Sequence, residues 1–133
     1  MHVHLIRTGA VMLLLAVVAG AFGAHGLRPR LTPEALDQWR TAVEYQFYHG
    51  LGLLLVAALS AYLPAHRSRW VHVLFTLGVL IFSGSIYLLS TRDLTGLHGA
   101  GQVLGPITPI GGLMLMAGWG VLLISVGKRT DHR

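Results

Sequence analysis

Histidine is the residue through which this chain could do chemistry. There are eight histidines and no cysteine, so thiolate zinc sites, haem attachment through Cys and cysteine nucleophiles are excluded. Three of the histidines stand at the edges of apolar stretches: His25 in "GAFGAHGLRP", His49 in "VEYQFYHG" and His98 in "LTGLHGAG". Imidazole changes charge near neutral pH and, when neutral, ligates zinc, copper or haem iron. Tyr45 and Gln46 precede His49 by four and three residues and share its helical face. With Glu44, Thr108 and His98 they form a set of polar groups around His25 and His49 that suits a proton, a small ligand or an ion. The spacing required of a metal enzyme is missing. There is no H-E-x-x-H, no pair of histidines at helical spacing within one apolar stretch, and no carboxylate cluster of the di-iron kind. The expectation is therefore no metal and no cofactor. Serine hydrolysis has no support either, because Ser60, Ser83, Ser85 and Ser90 lack a visible general base and no G-x-S-x-G occurs.

The elements that must position these groups are membrane spans. Of 133 residues, 53% are hydrophobic and only 11% charged, far from the roughly quarter-charged composition of soluble domains. A single transmembrane domain over residues 1–133 is expected. Crossing about 30 Å of hydrocarbon takes ~20 apolar residues in a helix, which alone satisfies its own backbone there. Four windows qualify, at residues 5–24, 45–63, 70–90 and 109–126. The fold class is thus all-α, an integral membrane four-helix bundle. The net charge of +5 reads as cytoplasmic anchoring; no basic helix or aromatic-basic module points to nucleic acid.

An even number of spans puts both termini on one side. Arg7, Arg67, Arg69, Lys128, Arg129 and Arg133 share that side, against Arg28, Arg30, Arg40 and Arg92 on the other. The excess of base favours both termini in the cytoplasm, with His25, His49 and His98 near the outer boundary of a bacterial inner membrane. The first span also has the features of a signal peptide; retention is expected, since its removal would take one partner from a minimal bundle.

Ahead of the second span, Thr32 can cap a helix, Pro33 suits its first position, and Glu34 and Asp37 complement its dipole. Leu36, Trp39, Val43 and Phe47 recur on one face. A short amphipathic helix lying in the interface is expected there, the alternative being a helix that runs unbroken into the span. Arg40 and Glu44, four apart, could pair. Pro106 predicts a break before the fourth span, leaving 94–108 as a re-entrant segment or a surface loop. Trp119 falls mid-span and reads as packing, whereas the other Trp and Tyr residues read as interface anchors.

Helices in a bilayer associate by close packing, so small residues mark their contacts. Ala16, Gly20 and Ala24 line one face of the first span beside Gly23. Gly78, Gly84 and Ser85 on the third span are placed to receive that ridge, and Gly111, Gly112 and Gly118 offer the same on the fourth.

Four segments, "GAFGAHGL", "WRTAVEYQFYHGLGL", "FSGSIYLL" and "GPITPIGG", together resemble the small membrane proteins grouped as domain of unknown function 423, whose animal relatives are called transmembrane protein 256. They occur in the family's order and cover nearly the whole chain. The resemblance implies an integral membrane protein of about four helices and carries over no activity, substrate or cofactor. It directs attention to His25, Tyr45, Gln46, His49, Ser83, Gly84, Ser85, Pro106, Thr108 and Pro109. The reading that follows is a non-enzymatic accessory or assembly protein in contact with membrane lipids and with a second copy or other membrane proteins. Its rival is a binding or transport module for a small ligand, ion or proton, built on the His/Gln cluster near the outer leaflet.

Overall fold

A computed structural model describes residues 2–125; Lys128, Arg129 and Arg133, on which part of the charge asymmetry rests, lie outside them. The described residues form helices joined by short connections, with no strand among them. Helix α1 covers His2–Phe22 and continues as a π-helical turn, Gly23–Leu27; α2 covers Pro33–Ala58, α3 Ala65–Ser90, a single-turn α4 Arg92–Thr95, and α5 Gly101–Ser125. Three stretches, His2–Leu27, Ala65–Ser90 and His98–Ser125, are long and apolar enough to cross a membrane. Helix α2 is as long as α3, but Glu44, Gln46 and His49 interrupt its apolar run.

The start of α2 follows its local signals. Thr32 takes an extended backbone, its hydroxyl accepts from the Ala35 amide at 3.2 Å, and Pro33 opens the helix. No separate interfacial helix follows. The helix runs unbroken to Ala58, because the Leu36–Trp39–Val43–Phe47 stripe has a partner in α1: the Trp39 indole N–H donates to the Ala19 carbonyl at 2.8 Å and its ring packs edge-on against Phe22. Packing removes the reason for a bend at Tyr45.

Helix α5 likewise passes through both Pro106 and Pro109. The i−4 ladder loses the bonds to the Gln102 and Gly105 carbonyls, both in the opening turns, where the neighbouring hydroxyl of Thr108 already folds back onto the Leu104 carbonyl at 3.0 Å. Segment 94–108 is therefore neither re-entrant nor a long loop. It consists of the end of α4, a left-handed Gly96 with φ of +74°, a 3-10 turn at His98–Ala100 and the first turns of α5. The Leu97 amide reaches back to the Arg92 carbonyl at 3.0 Å across Gly96, a closure only glycine adopts without strain.

Helix α1 packs on α2, α2 on α3, and α3 on α5. Small residues set these pairings, and not the ones their sequence suggests. The ridge of α1 meets α2: a Cβ at Gly9 would stand 2.9 Å from the Gly50 carbonyl oxygen. On α3, Gly78 faces Leu115 and the Gly111 carbonyl of α5, and a Cβ at Gly111 would stand 2.5 Å from the Phe82 amide nitrogen. Helix α1 thus rides on α2 at the edge and shares no comparable packing with α5. At the far end, Arg67 donates to the Ile124 carbonyl, tying the start of α3 to the end of α5. Phe75, Leu5, Leu53, Val56 and Val71 are fully buried at the centre.

Candidate functional site

Gln46 and His49 lie near the middle of α2 rather than at a boundary. Gln46 is 7% exposed and spends both ends of its amide: Nε2 donates to the Met12 carbonyl on α1 at 2.9 Å, and Oε1 accepts from the Tyr87 hydroxyl on α3 at 2.8 Å. One turn earlier, the Ser83 hydroxyl donates to the Ala42 carbonyl at 2.7 Å. Three helices are clamped through one amide and two hydroxyls.

His49, 4% exposed, faces the other way, toward α5. Its Nδ1 lies 2.6 Å from the Tyr45 carbonyl oxygen, and Trp119 Nε1 approaches its Nε2 at 3.0 Å. An indole N–H can only donate and a carbonyl can only accept. Nε2 must therefore be the acceptor and Nδ1 the protonated nitrogen: His49 is a neutral imidazole with both nitrogens engaged. Phe75 packs edge-on against it, with ring centroids 4.9 Å apart. Nitrogen-15 NMR of selectively labelled protein should therefore report the Nδ1–H tautomer for His49 at neutral pH. Trp119→Phe, which vacates Nε2, should destabilise the protein by about 1 kcal/mol, the usual scale of an interhelical bond in a membrane, read from unfolding in mixed micelles; an unchanged midpoint would remove Trp119 from this role.

The remaining members of the sequence-derived set do not join His49. Since Met12 and Gln46 touch, His49 lies level with residues 9–12 of α1, and His25 stands about 20 Å further along that helix at 1.5 Å per residue. The shared depth expected near the outer boundary does not arise, because α2 starts at Pro33 and carries residues 45–49 to its middle. His25 is exposed on the π-helical turn. His98 is exposed and pairs with Asp93, Nδ1 to carboxylate oxygen 3.3 Å. Thr108 joins Ser85 at 2.6 Å, linking α5 to α3. Tyr45 stacks obliquely on Phe82 at 4.6 Å. Glu44 and Arg40 are exposed along one shallow groove, and Asp93–His98 is the one contact between a basic and an acidic side chain among the described residues, so the expected Arg40–Glu44 pair is not formed. Among the described residues no three His, Asp or Glu side chains converge as ligands.

The small residues divide similarly. Ala16 is fully buried, Gly20 makes ordinary contact with Val43, and Gly23 lies under the Trp39 ring. Gly112 touches the Phe82 ring, and Gly118 sits against Phe75. Ala24 is exposed, and nothing lies within 4 Å of where a Gly84 Cβ would be. The vacant space at Gly84 is part of a cleft of about 640 Å³ between α1 and α3, with Trp39, Gln46 and Tyr87 at its back. A second compartment of about 520 Å³ continues past Trp39 and Tyr87 toward Arg30. At the N-terminal end of α1, His72 Nε2 and the Thr8 hydroxyl meet at 2.9 Å and join α1 to α3. Sequence reasoning missed Tyr87 and Trp39 as hydrogen-bonding partners, reading them as interface anchors; the available signal was that a phenol and an indole within apolar helices need an acceptor, here the Gln46 amide oxygen and the Ala19 carbonyl.

A family described as "Protein of unknown function (DUF423)" matches residues 19–112. The chain is 42% identical over 120 residues to the UPF0382 membrane protein SH2409 of Staphylococcus haemolyticus, covering 90% of this chain and 92% of that one. It is 39% identical over 124 residues to the UPF0382 membrane protein YwdK of Bacillus subtilis, covering 90% and 93%. It is 40% identical over 112 residues to the UPF0382 membrane protein C1782.12c of Schizosaccharomyces pombe, covering 84% and 91%. No solved structure matches. A match spanning most of the chain, relatives of similar length that are membrane proteins, and three helices able to cross a bilayer agree with one another: the chain belongs to the DUF423 family of small membrane proteins.

Proposed function

We propose that this protein is a four-span bundle of the cytoplasmic membrane with both termini on the cytoplasmic side, working as a non-enzymatic accessory or assembly protein. The observation that carries this reading is how its interior polarity is spent. Among the described residues every buried side-chain nitrogen and oxygen has a hydrogen-bond partner within the protein, and the longest-range of these bonds join one helix to another. Polar groups used in this way hold helices together and are not poised toward a substrate. Helix α2 crosses with the others because its 26 residues extend ~39 Å and the Gln46 and His49 side chains near its middle are covered by α1, α3 and Trp119 of α5. What remains for partners is the lipid-facing exterior, where lipids, a second copy or another membrane protein would sit. The rival reading, a ligand or proton module uniting His25, Gln46 and His49, has lost its common depth.

The chain has no cysteine, so single introduced cysteines report topology without background. In intact cells, impermeant maleimide should label cysteines at positions 28 and 98 and leave position 67 unlabelled until the membrane is opened. Labelling of 28 without 98 would mean an odd number of crossings between them and overturn the four-span arrangement. Crosslinking in native membranes followed by purification should recover a defined membrane partner; recovery of the monomer alone would remove the assembly role.

A further inference from the structure

The cleft between α1 and α3 goes beyond that reading, because its chemistry specifies a ligand. Its lips are Val11, Leu15 and Leu80, which are 54%, 53% and 63% exposed, so the space opens sideways from the helices. Its polar groups are already committed. Gln46 is bonded at both ends, Tyr87 donates to Gln46, Ser83 donates to Ala42, Thr76 donates to the His72 carbonyl at 2.7 Å, and Thr8 is bonded to His72. The cleft therefore presents hydrocarbon over its length and offers a ligand no buried hydrogen bond. One group differs. Arg7, at the N-terminal end of α1, lines the mouth, is exposed, and has no carboxylate partner among the described residues.

From Arg7 to Ala19 the cleft runs ~18 Å along α1, close to the ~15 Å depth of one leaflet's hydrocarbon. A slim apolar chain with an acidic head at Arg7 matches this shape and this single charge. We propose that the α1–α3 cleft is a site for one anionic phospholipid, its phosphate at Arg7 and an acyl chain lying between Leu15 and Leu80 as far as the Trp39–Tyr87 pair.

The test is native mass spectrometry of the full chain, delipidated in detergent and titrated with phosphatidylglycerol or with phosphatidylcholine of the same chains. A single phosphatidylglycerol adduct should form about fivefold more tightly than the phosphatidylcholine one, the scale of one basic residue at a membrane surface. Arg7→Gln should bring the two lipids level, while Arg69→Gln, outside the cleft, should leave the preference intact. Gly84→Phe fills the cleft from a position with no neighbour to clash with and should abolish the adduct, as should Val11→Trp at the lip, with near-ultraviolet circular dichroism confirming that each is folded. Equal retention of the two lipids by the parent protein would overturn the proposal. So would an adduct that survives either filling variant in folded protein, or a lipid-free dimer that Gly84→Phe dissolves, which would make a second copy the occupant.

Discussion

Gly111→Val is expected to destabilise the protein by about 3 kcal/mol, the upper part of the range for overpacking a tight interior, and to do so by forcing α5 away from α3. The Cβ would stand 2.5 Å from the Phe82 amide nitrogen and 2.9 Å from its Cα. Those atoms belong to the α3 backbone and cannot rotate aside as a side chain could. The same displacement would pull Leu115 from Gly78 and loosen Trp119 over His49, so loss at one glycine propagates along the whole contact. Gly84→Val supplies the contrast. It is on the helix facing α5, in a comparable apolar run, yet its Cβ would meet nothing within 4 Å. Unfolding in mixed micelles should separate the two variants by at least 2 kcal/mol, the spread between overpacked and unhindered sites. Equal losses would mean that α3 and α5 do not meet at these glycines.

The second large effect is expected at Gln46. Gln46→Leu removes the bond to the Met12 carbonyl and, at the same stroke, the acceptor of the Tyr87 hydroxyl. The two losses are unequal. Met12 lies within α1, where its carbonyl keeps an acceptor role in the helix ladder, whereas the phenol is left facing an apolar cleft. An orphaned polar group is penalised more than a missing pair, so about 2 kcal/mol is expected for Gln46→Leu. Adding Tyr87→Phe should restore part of it, since removing both partners leaves nothing unsatisfied. A double-mutant cycle with a coupling energy of about 1 kcal/mol is the expected result. Strict additivity would show that the hydroxyl and the amide do not depend on one another.

Much of the helical layout was legible because its signals are local. The start of α2 at Thr32-Pro33 needs only a hydroxyl cap and a fixed φ, and the apolar runs of α1, α3 and α5 declare themselves by length. The extent of α2 and α5 was not legible. A break at Pro106 and a bend before Tyr45 follow from local preference, yet both helices continue, since a neighbouring helix or a folded-back hydroxyl offsets what the local sequence loses. Adding 12 residues ahead of Tyr45 moved Gln46 and His49 from the expected boundary to mid-helix, which dissolved the cluster with His25 and His98.

By itself the sequence determined that this is a helical membrane protein, where its helices begin, and which residues are small enough to let helices touch. Only the tertiary structure decided which helices those small residues join, which carbonyl, indole and phenol satisfy Gln46 and His49, and that a cleft stays open beside Gly84. The physical reason is that hydropathy and capping act within one segment, whereas in lipid every apolar face is equally content with hydrocarbon. Partner choice then depends on shape and on the last hydrogen bond across the contact, and both exist only once two helices stand side by side.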